Sequence, residues 1–140
     1  MSSKKTIIHE FDPCVYPRLL WVVKGGTREA IKETLEFLDI DEEAGAVTFP
    51  ARRKKDGHLG YCVYFPLAGD IRRGDYIAHE ATHVALCIFN DVGAVVDYDN
   101  QEPLAYLIGW VFECVDKVRR MKNDNGKERK HLGEAKEGAS

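Results

Sequence analysis

Ile77-Ala78-His79-Glu80-Ala81-Thr82-His83-Val84-Ala85-Leu86-Cys87-Ile88 is the stretch from which the rest of the chain can be placed. Ile77, Ala78, Ala81, Val84, Ala85 and Ile88 recur at spacings of three and four, the period of a helix with one buried face. Asp91-Val92-Gly93 supplies the stop, because glycine tolerates the left-handed conformation that ends helices. The pattern predicts a helix over about 74–91. Set into it are two histidines four apart, offset from the apolar stripe as side chains lining a cleft would be. Residues at i and i+4 sit one turn above each other, so both imidazoles can reach a single ion. Glu80, one residue after the first histidine, points to the side, where it can take a proton from an activated water and return it to a leaving group.

Beyond a loop at 93–99, Leu104, Leu107, Ile108, Val111, Val115 and Val118 predict a second long amphipathic helix over about 100–121. Lys117, Arg119 and Arg120 fall in its last turns, where cations suit the helix dipole. Upstream, 6–10 (TIIHE), 19–23 (LLWVV), 46–51 (AVTFPA) and 61–65 (YCVYF) are β-prone, and Asp12-Pro13 and Tyr16-Pro17 interrupt pairing between the first two. Thr27 is a candidate N-cap. Glu29 then falls in the first turn, and Ile31, Leu35 and Leu38 follow at helical spacing, which predicts a helix over 27–38. The run Arg52-Arg53-Lys54-Lys55-Asp56-Gly57-His58 is a hairpin loop built on Asp-Gly, its like charges a solvated tip. Pro50 suits an edge strand.

At 140 residues, with 44% hydrophobic and 31% charged residues, the chain is sized for one domain with a real core. The expected architecture is α+β: a small, mostly antiparallel sheet packed on three helices, spanning 1–121. A polar tail over 122–140 is expected to be disordered. A formal charge of −3 argues against phosphate neutralisation, so no nucleic-acid partner is expected. No apolar run is long enough for a membrane span, and no apolar segment follows the charged N-terminus as a secretory signal requires. The four cysteines, at 14, 62, 87 and 114, form no CxxC pair and suit free thiols in the cytoplasm.

A catalytic zinc takes three protein ligands and keeps one position open. Glu102 is the preferred third ligand, with Asp97, Asp99 and His58 as alternatives. Glu102 also has a purely structural reading, since Asp99-x-x-Glu102 has capping-box spacing and Pro103 suits a first turn. Cys87 lies one turn after His83, but three ligands at i, i+4 and i+8 would strain one ion, so it is assigned to packing. Gly109 is expected to let the two long helices approach closely. Trp21 and Trp110 are taken as core anchors.

His79-Glu80-Ala81-Thr82-His83 followed by Glu102, with 18 residues between His83 and Glu102, resembles the gluzincin arrangement of zinc metallopeptidases over roughly 60–118. More loosely, the chain resembles small uncharacterised metallopeptidase-like proteins of phages and mobile elements. The resemblance implies a minimal zincin-like domain in which His79, His83 and Glu102 hold Zn²⁺ and Glu80 is general base and acid. It implies hydrolysis of a peptide or protein substrate, laid as an extra strand on an edge strand at 61–65. The sequence departs from thermolysin-like members four residues after Glu102, where Tyr106 replaces an aspartate that braces the first histidine. Tyr106 is therefore a candidate catalytic-site residue, as are Tyr76 and Tyr98 for oxyanion stabilisation. A zinc-holding regulatory or interaction module without turnover is the alternative reading.

Overall fold

A computed structural model describes residues 5–38 and 48–122. Five strands, β1 (His9–Phe11), β2 (Leu19–Lys24), β3 (Leu35–Phe37), β4 (Thr48–Arg53) and β5 (Leu59–Phe65), form one sheet in the order β1-β2-β5-β4-β3. Among the described residues there are three α-helices, α1 (Arg28–Lys32), α2 (Gly74–Val92) and α3 (Glu102–Arg120), and a short 3₁₀ helix over Ala68–Arg72. The fold is thus α+β. Its sheet is mixed: β2 and β5 run parallel, and the other three pairings are antiparallel. Most of the tail expected to be disordered, from 123 onward, lies outside the described residues, as do 39–47. Among the described residues, no helix is long and apolar enough to cross a membrane.

Alternation along the strands divides the core in two. Leu20, Val22, Tyr61, Val63 and Phe65 face α2 and α3, meeting Ile77, Ala81, Val84, Ile88, Val111 and Val115. Leu19, Trp21, Val23, Leu35, Phe49, Ala51, Cys62 and Tyr64 face the other way, where Ile31 of α1 packs over them. Trp21 is the anchor expected, 1% exposed, whereas Trp110 packs against the helical core only partly buried. At Gly60 the backbones of β2 and β5 come so close that an added Cβ would lie 2.3 Å from the Leu19 carbonyl oxygen.

Four expectations are corrected. First, the helix predicted over 27–38 ends at Lys32, and Leu35–Phe37 is β3. Thr27 does cap α1, its hydroxyl accepting from the Ala30 amide at 3.1 Å. Beyond it, pairing wins over helical spacing. Arg52 Nε donates to Glu36 Oε1 across the β3–β4 pair at 3.2 Å, and the Phe37 ring lies 4.3 Å from Phe49. Second, β5 is no edge strand: β2 and β4 flank it, so no substrate peptide can pair with it.

Third, Pro50 lies inside the sheet, yet costs no bond to β5. A strand residue's N–H and C=O point the same way, and the Pro50 carbonyl accepts from Leu38 at 2.9 Å. The missing N–H therefore faces the β3 side, just past the last pair Phe37↔Ala51. Fourth, Gly109 faces open space, with nothing within 4 Å of an added Cβ, so it mediates no close helix contact.

Two sets of contacts fix the direction of the helices. Asp91, near the end of α2, accepts hydrogen bonds from Arg18 and Tyr61, at the starts of β2 and β5. Lys24, at the end of β2, donates to the Met121 carbonyl just past α3. Hence α2 runs back along the sheet, α3 runs the opposite way beside it, and α3 begins where α2 stops.

Candidate metal centre

His79 and His83 meet. Their Nε2 atoms lie 3.1 Å apart, with the rings edge to face at 81° and centroids 4.6 Å apart. Each is two residues from the buried Ala81, which puts it about 160° round the helix from that residue. The pair therefore projects outward from the helical layer and is exposed, rather than lining a cleft beside the core. Two nitrogens on one tetrahedral zinc, each about 2.0–2.1 Å from it, sit roughly 3.3 Å apart. The observed spacing fits two vertices of such an ion. It also suits an N–H of one ring donating to the bare nitrogen of the other.

Glu80 occupies the flank of α2 nearer β4. Its Oε1 accepts from the Thr48 hydroxyl at 2.6 Å, which fixes the carboxylate between the sheet and the histidine face. Thr48 was not singled out by the sequence. It lies on another element, 32 residues upstream, and strand alternation says only that it shares a face with Pro50.

The proposed third ligand is elsewhere. Among the described residues, no three His, Cys, Asp or Glu side chains form a group able to hold a metal ion. The helix directions give the reason. Glu102 opens α3 beside the end of α2, whereas nine residues, or about 14 Å of helix, separate His83 from that end. Asp97 and Asp99 belong to the same distant connection, where the Asp99 amide donates to Asp97 Oδ1 at 2.9 Å. His58 closes the β4–β5 hairpin at the Arg53 end, about 17 Å along β4 from Thr48. The capping-box reading of Glu102 is not realised either: Gln101 is the N-cap and makes no side-chain capping bond.

Tyr106 and Tyr98 are 75% and 83% exposed, and Tyr106 lies on α3, one turn past Glu102. Tyr76 lies nearer, one turn before His79, its hydroxyl accepting from Arg73 Nη1 at 2.9 Å. The four cysteines are free thiols: Cys62 and Cys114 are buried, Cys87 is half-buried against the core and Cys14 is exposed. An apolar groove of about 490 Å³ opens between the end of α2 and the start of α3, lined by Phe89, Val96, Tyr98, Leu104 and Ile108. The histidine pair lies outside it. No family model, no curated protein and no solved structure matches this chain.

Proposed function

We propose that the chain is a zinc-dependent hydrolase of peptide bonds, with a zincin-like site centred on His79, Glu80 and His83. The observation that carries this reading is the approach of the two Nε2 atoms to 3.1 Å, with the Glu80 carboxylate held on the adjoining flank of α2 by the Thr48 hydroxyl. Zinc, when bound there, supplies Lewis acidity that polarises a carbonyl and lowers the pKa of water. His79 and His83 would hold it. Glu80 removes the proton from the attacking water and delivers it to the departing amine, while Thr48 keeps the carboxylate from swinging away.

Replacing Glu80 by glutamine separates the roles. Glu80→Gln is expected to retain zinc to wild-type stoichiometry and lose hydrolysis of a fluorogenic peptide library by at least about 100-fold. Equal turnover by the variant and wild type would contradict the mechanism.

A second reading has its own support. The described residues supply two ligands on an outward helix face, which suits an ion that bridges this surface to another molecule without turnover. A protein that binds zinc through the histidines and cleaves nothing in the library would favour it.

A further inference from the structure

The outer strip of α2 is arranged symmetrically about its histidines. Tyr76 lies five residues before Ala81 and Leu86 five residues after it, and each is an exposed apolar side chain, at 37% and 39%. His79 and His83 lie two residues either side of the same point. The ring of Tyr76 is held in place, with the Arg73 guanidinium 3.9 Å from its centroid. Between 76 and 90 the strip reads Tyr76, His79, His83, Leu86 and Asn90, with no carboxylate or ammonium group. An antiparallel two-fold helix pair sets position 81+k of one copy against 81−k of the other. His79 then faces the partner's His83, and Tyr76 faces the partner's Leu86.

We infer that this face is a metal-dependent contact between two copies of the chain, in which one Zn²⁺ is held by His79 and His83 of both. The inference rests on the proposed reading of the two histidines as metal ligands and deepens it. Each copy brings two nitrogens at the spacing of adjacent tetrahedral vertices, and a closed tetrahedral site needs four. Two Tyr76–Leu86 contacts are far too little surface to hold a dimer alone, so association requires the ion. The dimer is the closed, resting form of the site, because its four imidazoles leave no position for water or substrate. Hydrolysis, as proposed above, would then need the copies to separate and expose the ion.

The test is light scattering during a stepwise zinc titration of the full chain, with bound zinc measured in parallel. The mass should double and saturate at one zinc per two chains, then return to that of one chain on chelation. His79→Ala and His83→Ala should remain single chains. Leu86→Glu, at an exposed position and with its circular dichroism spectrum compared with wild type as the fold control, should bind zinc yet lose the doubling. One zinc per chain on an undoubled wild-type mass would overturn the shared site and leave the metal reading standing. Absence of zinc binding would overturn both. A dimer that survives chelation, or the alanine variants, would place the contact elsewhere and contradict the inference, as would a Leu86→Glu chain that still doubles.

Discussion

The side chains of the candidate site differ from their neighbours in what holds them. His79 and His83 are exposed and touch one another, so their rotamers are set by the pair itself and by anything that binds between them. Glu80 is tied to the sheet through Thr48 and has less freedom. Elsewhere, charges at the surface are strongly locked. Arg53 donates to Asp56 at 2.7 Å and to Glu10 at 2.7 Å, and its hydrogen bond to Asp56 is the main cause that draws that carboxyl down to about 2. A carboxyl depressed in the folded state stabilises the fold fully above its unfolded value. That contribution disappears as the pH falls through the range from about 4 to about 2. An NMR titration should place the Asp56 midpoint near 2, and Arg53→Gln should return it toward the ordinary aspartate value near 4. An unchanged midpoint in the variant would show that Arg53 is not the cause.

Among the elements, the long helices were legible and the short ones only in part. Apolar spacing located α2 and α3 to within two residues at each end, because nineteen-residue amphipathic helices repeat their pattern many times. Positions 31, 35 and 38 fit a helix equally well, but only α1's five residues take that form. Pairing with β4 decides the rest, and spacing within the segment cannot reveal a partner some 15 residues away. The run Tyr61-Cys62-Val63-Tyr64-Phe65 did carry a signal for its place: five residues without a charged side chain mark a central strand covered on both faces. The site divides the same way. Two histidines and a glutamate are local to one helix, whereas the direction of α3 and the contribution of Thr48 are tertiary facts. The interior of β5 and the helical core give direct tests. Gly60→Ala forces the β2 and β5 backbones apart, and Ile88→Ala removes a fully buried side chain at a cost of about 2–5 kcal/mol. Urea unfolding should show both variants well below wild type, and a Gly60→Ala midpoint equal to wild type would refute the close approach.

For the molecule as a whole, the sheet separates two apolar layers, and each contains a buried thiol. Cys62 lies on the α1 side and Cys114 on the α2–α3 side, its thiol pushed up to about 12 by burial. Neither is reactive while closed, since the thiolate is the nucleophile. Cys14 is exposed, on a turn where its φ is +71°. A thiol reagent should therefore modify Cys14 at once, while Cys62 and Cys114 react together at the rate of global unfolding. Reaction of Cys62 well before Cys114 would mean that the α1 layer opens as a separate unit.

The proposed function rests on His79 and His83 sharing one ion on the outer face of α2. The most direct measurement is metal content after exhaustive dialysis against zinc-free buffer, comparing wild type with His79→Ala, His83→Ala and Glu102→Ala. If the two histidines share one ion, zinc stays with wild type and with Glu102→Ala and is lost from both histidine variants. Zinc retained by either single histidine variant, or none in wild type, would contradict a shared ion.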